Sequence, residues 1–147
     1  RDLTGDWSSD VCSSDLARIE TGYLRLCQPI CDLLLELGGD ASVGEIDGAF
    51  CDGRYNVNLN GRKMVGTAQR WRQSGGRPVG LVHGALLLDN DREELIAAVN
   101  RFNQACGLEQ RVRADSHIAL HEAFPAPDAI SRLDTLYQQM LAGFLPG

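Results

Sequence analysis

The stretch Gly48–Arg72 reads GAFCDGRYNVNLNGRKMVGTAQRWR. Tyr55-Asn56-Val57-Asn58-Leu59 alternates into Asn60-Gly61, and a second extended run begins at Arg62. Asn-Gly after an alternating run is a strong two-residue hairpin signal, because both central residues must take positive φ. Glycines at 48, 53, 61 and 66 bracket Cys51, in the loop before the hairpin, and Lys63, just past its turn. Glycine lets backbone approach a ligand closely, so the hairpin is also the place to look for chemistry.

Outward from the hairpin, Ser74-Gly75-Gly76 is the next turn, and Val79–Leu88 is a further β-run that Gly84 is expected to interrupt. Upstream, Asp40–Phe50 is Gly-punctuated and allows only short extended pieces. Before it, Tyr23, Leu26, Ile30, Leu33, Leu34 and Leu37 fall three or four apart, one face of an amphipathic helix over Ile19–Leu37 that Gly38-Gly39 ends. Pro29 is expected to kink that helix or mark its effective start. Downstream, Asp91 is placed to cap a second helix, with Glu94 as capping-box partner, Leu95, Val99 and Phe102 on one face and Gly107 closing it. Ser116 is expected to start a short helix that stops before Pro125. Asp128 is expected to cap a last helix through Ile130, Leu133, Tyr137, Met140 and Leu141. This order predicts an α+β fold, a mostly antiparallel sheet flanked by helices.

The 147 residues, 44% apolar, make one domain or part of one. No apolar run approaches the roughly 20 residues that span a bilayer, and the N-terminus lacks a signal peptide's basic and apolar regions. A cytoplasmic protein with no membrane partner is the default expectation. The five cysteines, Cys12, Cys27, Cys31, Cys51 and Cys106, show no metal spacing and read as reduced thiols, Cys27 and Cys31 facing a core. His117 and His121 are four apart but lack a third ligand, so no metal site is expected.

The net charge of −6 argues against nucleic acid. Yet no acid occurs between Gly53 and Leu88, where Arg54, Arg62, Lys63, Arg70, Arg72 and Arg77 fall. That distribution suggests a local anionic ligand or partner rather than a duplex, with a solvated basic face as the alternative. The chain also carries 13 arginines and a single lysine, Lys63. Lysine offers a compact point charge where arginine offers a planar fork, so one retained lysine points to a place where an ammonium is needed.

Arg1–Leu16 has no period and no core pattern, and its run DWSSDVCSSDL (Asp6–Leu16) resembles the translation of a DNA-sequencing adapter. It is expected to be non-native and is set aside, leaving 17–147 as a domain incomplete at its N-terminus.

With these residues in hand, a resemblance becomes specific. NGRKMVGTAQRWR followed by LVHGALLL is similar to the lysine-loop signature of the lipoate–protein ligase A family, in the biotin/lipoate ligase superfamily. There Gly-Arg-Lys-x-x-Gly-x-Ala leads into a strand carrying His-Gly. The likeness runs from about Ile19 to Asp89 and fades by Asp115. It implies a biotin/lipoate ligase-like fold and attachment of a lipoyl or octanoyl group to a lysine of a lipoyl-carrier domain. Lys63 would contact the acyl carbonyl or the phosphate of an acyl-adenylate. Gly61, Arg62, Gly66, Thr67, Ala68, Gln69, His83 and Gly84 would bind substrate.

FCDGRY resembles the arrangement of octanoyltransferases that place a cysteine just before the lysine loop. Cys51 would then be the acyl-carrying nucleophile, with Lys63 or Arg54 as the nearby cation. In a ligase Cys51 would be a loop residue, with ATP and Mg²⁺ required; no covalently bound cofactor is implied. Partners implied are a glycine cleavage H protein or 2-oxoacid dehydrogenase E2 type lipoyl domain, and an acyl carrier protein as donor. The family's Arg-Arg-x-x-Gly-Gly segment is absent and expected upstream of Ala17. A non-catalytic lipoyl-domain binder is the alternative, and an unrelated anion-binding module a weaker one. His83 reads as a base or a structural histidine, and Arg70 and Trp71 as acceptor contacts or, for Trp71, core.

Overall fold

A computed structural model describes residues 13–51 and 53–144. The expected non-native segment lies outside the described residues up to residue 12, and the first helix begins at Ser13, within that segment. The elements are α1 (Ser13–Glu36), β1 (Ala41–Val43), β2 (Val57–Leu59), β3 (Arg62–Ser74), β4 (Arg77–Leu86), α2 (Arg92–Ala105), a 3₁₀ turn (Ala114–Ser116), α3 (Leu120–Ala123) and α4 (Ala129–Ala142). The four strands form one sheet in the order β1-β2-β3-β4, every pair antiparallel. The α+β architecture is therefore as expected. No helix among the described residues is long and apolar enough to cross a membrane.

The turn residues fix the register. Asn60 and Gly61 take φ of 50° and 75°, the mirror-image turn that matches strand twist. Asn60 also ties in β1: its N–H donates to the Asp40 carbonyl, and its side-chain oxygen accepts from the Asp40 N–H. Gly75 and Gly76 close the β3–β4 hairpin in the same way, with φ of 58° and 75°. One extra residue, Met64, sits in β3 opposite the Val57–Asn58 step, a bulge in the β2–β3 ladder. The bulge breaks the in–out alternation, and Lys63, Met64 and Val65 are all buried in succession.

The core forms where α1 crosses the sheet. Cys27, Ile30, Leu33 and Leu34 pack on Val57, Leu59, Met64 and Val65, and Leu133, Leu136 and Tyr137 of α4 close the side. Tyr23 stacks on Tyr55, ring centroids 4.3 Å apart. The helix ends in a two-bond Gly cap: Gly38 N–H donates to Leu35 O and Gly39 N–H to Leu34 O, with Gly38 at φ 89°.

Several expectations are corrected. Pro29 does not mark a start, because α1 continues through it. Gly84 does not interrupt β4; it pairs with Thr67 in an unbroken ladder. Phe102 is 65% exposed, and Ile96 and Asn103 are the buried residues of α2. Asn100 and Asn103 face inward because they bind the carbonyls of Val112 and Gln110, a polar demand that apolar periodicity does not register. Ser116 ends a 3₁₀ turn rather than starting a helix, and α3 begins only at Leu120. Ile130 and Leu141 are exposed on α4, and Asp128 occupies its cap position without a side-chain bond. Asp91 does cap α2, accepting the Glu94 N–H.

Gly39 sits where α1, β2 and Phe124 meet. A Cβ there would lie 2.4 Å from Leu59 Cδ1 and 2.9 Å from Phe124 Cζ. Gly39→Ala is expected to destabilise the fold by about 1–3 kcal/mol, measured as a lowered urea midpoint with unchanged slope.

Candidate active site

The bulge in β3 directs Lys63 into the protein, where it is 2% exposed. A buried ammonium must find acceptors, and two carbonyls of the preceding loop supply them. Nζ donates to Phe50 O at 2.6 Å and to Cys51 O at 3.0 Å, and lies 4.8 Å from the centre of the Phe50 ring. Cys51 takes φ 45°, an uncommon conformation for a non-glycine residue that aims its carbonyl at the ammonium. Its side chain is exposed, at the mouth of the same site.

The loop is pinned from its other side by residues 113–118. Arg113 N–H donates to Gly48 O at 2.9 Å, and the Ser116 hydroxyl donates to Asp47 O at 2.7 Å. Gly48 is required here: its φ is 78°, and a Cβ would meet Arg113 and Ser116 at 2.8 Å. The segment itself is clamped by two arginines. Arg62 Nε donates to Asp115 O, and Arg92 Nη1 donates to Ala114 O while gripping Glu122 through Nε and Nη2. The Arg92 guanidinium holds the Glu122 carboxyl below its ordinary value, outweighing the opposing effect of burial.

A cavity of ≈ 260 Å³ opens above this knot, lined by Cys51, Lys63, Gly66, Thr67, Ala68 and His83 together with Phe50, His117 and apolar groups of β3 and β4. Six of the ten residues singled out in the sequence thus share one cavity. Gly66 leaves room beside the ammonium, since a Cβ there would stand 3.6 Å from Nζ. The Thr67 hydroxyl donates to Tyr55 O at 2.8 Å, and His83 is exposed opposite Ala68 on the neighbouring strand.

The other four lie off the cavity. Arg62 binds the 113–118 segment as described, and Gly61 is in the hairpin turn near Asp47 and Ser116. Gln69 faces α1, its amide donating to Ile19 O and its oxygen accepting from Trp71 Nε1. Gly84 packs on Val65 and Leu26. Trp71 is half-buried with its ring flat on Gly80, where a Cβ would come within 2.7 Å, and Arg70 is exposed. A larger apolar groove of ≈ 620 Å³ between α1, β4 and α4 includes Gly22, Leu26, Trp71, Val82 and Met140, but brings none of the candidate residues together.

Two cavity residues carry no local signal in the sequence. Phe50 reads as an ordinary loop aromatic, and His117 as half of an i, i+4 pair with His121. The two histidines are not on one helix, since His117 precedes α3 and forms a parallel bridge with Lys63. Among the described residues no three His, Cys, Asp or Glu side chains form a group able to hold a metal ion.

The thiols divide by environment. Burial, with Cys31 adding, pushes the Cys27 thiol up to about 11, whereas Cys51 and Cys106 are exposed. Iodoacetamide at about pH 8 is therefore expected to modify Cys51 and Cys106 in the folded protein and to reach Cys27 only in denaturant, read by peptide mass mapping.

A family model, the lipoyl protein ligase A/B catalytic domain, matches residues 10–133. The chain is 35% identical over 113 residues to an octanoyl-[GcvH]:protein N-octanoyltransferase of Kyrpidia tusciae, covering 73% of this chain and 39% of that one. It is 34% identical over 122 residues to an uncharacterized protein of Cupriavidus necator, covering 75% and 48%. An octanoyl-[GcvH]:protein N-octanoyltransferase of Bacillus velezensis is 26% identical over 133 residues, covering 86% and 44%. The chain thus spans less than half the length of these relatives.

Proposed function

The chain belongs to the lipoyl protein ligase A/B catalytic-domain family, and from that premise we propose that its cavity transfers an octanoyl or lipoyl group to a lysine of a lipoyl-carrier domain. Cys51 is the acyl-carrying thiol and Lys63 its electrostatic partner. One observation carries this reading: Lys63 Nζ is bound at 3.0 Å to the carbonyl of Cys51 itself, so cation and thiol share one turn at one cavity. The relatives named octanoyl-[GcvH]:protein N-octanoyltransferase support an octanoyl group and a GcvH-type carrier.

In this scheme the Cys51 thiolate adds to the acyl carbonyl of a carrier-bound octanoyl group. The tetrahedral adduct expels the carrier group, which takes up a proton, and leaves a Cys51 thioester. The acceptor's ε-amine then adds to that thioester, expels the thiolate, loses a proton and becomes an amide. The Lys63 ammonium stabilises the oxygen charge that develops in both steps. Met64, Ala68, Ala85 and Leu86 offer apolar wall for the acyl chain, and Gly66, Thr67 and His83 border the reacting end. A glycine cleavage H protein or another acidic lipoyl domain would meet the exposed Arg54, Arg70, Arg72 and Arg77. The reduced cytoplasm suits a free reacting thiol.

An ATP-dependent ligase would bypass the thiol and set Lys63 on the phosphate of an acyl-adenylate. The full-length protein mixed with an octanoyl carrier, without ATP, is expected to gain an octanoyl adduct by intact mass. Cys51→Ser should abolish it, and Lys63→Ala should slow transfer by about 10²–10³-fold. A wild-type protein that stays unmodified until ATP and Mg²⁺ are added would sink the thiol and leave a ligase.

A further inference from the structure

We propose that His117 is a positioning residue which, in its neutral form, fixes the Phe50–Cys51 turn and through it the carbonyls that hold Lys63. The ring is fully buried. Its Nδ1 lies 2.8 Å from Arg113 O, and a carbonyl only accepts, so Nδ1 carries the proton. Its Nε2 accepts the Phe50 N–H at 3.2 Å. The imidazole and the Phe50 ring also stack, with centroids 5.1 Å apart. One residue, Phe50, thereby receives His117 on its amide and ring, and Lys63 on its carbonyl and ring.

The backbone closes the circuit, since Ile118 N–H donates to Lys63 O at 2.9 Å. His117 is therefore held against the lysine's own strand while it holds the loop that cages the lysine's ammonium. The rotation of the Phe50 and Cys51 peptides, and with it the place of the Cys51 side chain, follows from where this imidazole sits.

The clamp works only while Nε2 has its lone pair. A second proton can go nowhere else on the ring, and imidazolium would set one N–H against another. Among the described residues, the charged side chains facing His117 oppose that cation. Lys63 and Arg62 on β3 and Arg92 on α2 all disfavour it. Among the described residues, the neighbouring carboxylates are engaged elsewhere: Glu122 by Arg92, and Asp47 and Asp115 by Arg113. Burial holds His117 below its ordinary value of 6.5, against the opposing pull of the Arg113 carbonyl. A histidine depressed in the folded state contributes stability fully above the ordinary value and loses it as pH falls below 6.5 toward the folded value. The turn should therefore be ordered at neutral pH and loosen on acidification.

The catalytic consequence rests on the reading of Cys51 and Lys63 given above, but the clamp does not, so the two are tested apart. Hydrogen exchange of the peptide containing Phe50 and Cys51, corrected for intrinsic rate, is compared at about pH 8 and about pH 5 in wild type, His117→Gln and His117→Leu. Gln keeps an uncharged acceptor; Leu keeps only bulk. Wild type should lose about tenfold protection on acidification, Leu should lack it at both pH values, and Gln should keep it at both, with α1 peptides unchanged throughout. Wild-type protection and pH response in His117→Leu, or equal loss across α1 and the loop, would overturn the positioning role. In octanoyl transfer the Leu variant should lower kcat with KM unchanged and Gln should restore it. Transfer unaffected in a Leu variant whose loop has loosened would overturn the Cys51–Lys63 reading while leaving the clamp in place.

Discussion

A buried ammonium is the constraint around which this structure is arranged. Lys63 brings a full charge to a place with almost no solvent, and an uncompensated ion there would cost several kcal/mol. Compensation comes in part from the backbone carbonyls of Phe50 and Cys51. Carbonyls of a loop serve only if the loop is rigid, and that demand propagates outward. It requires Gly48 at positive φ, the Arg113 and Ser116 bonds to residues 47–48, and the His117 contact on Phe50. Residues 113–118 must in turn be fixed, which Arg62, Arg92 and the Ile118–Lys63 backbone bond accomplish. Three stretches distant in sequence are thus locked by the needs of one nitrogen.

The sheet serves this arrangement unevenly. Near the β2–β3 turn, β3 is buried and bulged, and the core contacts of α1 make it a firm base for Lys63. Further along, the β3–β4 ribbon runs out beyond the core, and Val79 and Leu81 are 47% and 64% exposed. Gly66, Ala68 and Ala85 lie between these regimes, where small side chains leave a cavity instead of filling it. The position of the cavity therefore follows from the taper between buried hairpin base and open ribbon.

Local chemistry made much of this legible beforehand. Asn60-Gly61, Gly75-Gly76, Gly38-Gly39 and Asp91 each act within a few residues, and each acts as its type demands. The resemblance around Gly61–Ala68 singled out Lys63, Gly66, Thr67 and Ala68 of the cavity wall because those residues lie close together on one strand. What was hidden depends on long-range pairing. His117 lies far from Lys63 in sequence, and its i, i+4 spacing to His121 suggested a helix that Ser116 does not start. Phe102 and Asn103 show the same limit: apolar periodicity put Phe102 inward, whereas hydrogen bonding turned Asn103 in and left Phe102 in solvent. Gln69 sits within the recognised motif, yet strand alternation turns it toward α1.

The lone lysine among thirteen arginines acquires a physical reason from this geometry. Two carbonyls of adjacent residues and one aromatic face converge on a single point, at 2.6, 3.0 and 4.8 Å from Nζ. A tetrahedral ammonium can direct separate protons at convergent acceptors from one atom. A guanidinium spreads its donors over a planar fork suited to the parallel oxygens of a carboxylate, as Arg92 shows with Glu122. Its bulk would also intrude on the space beside Gly66. Elsewhere in the chain arginine serves by bridging oxygens across segments, as Arg62, Arg92 and Arg113 do around this site. The composition thus divides the work: forks to fix the walls, and one point charge at the place where the walls converge.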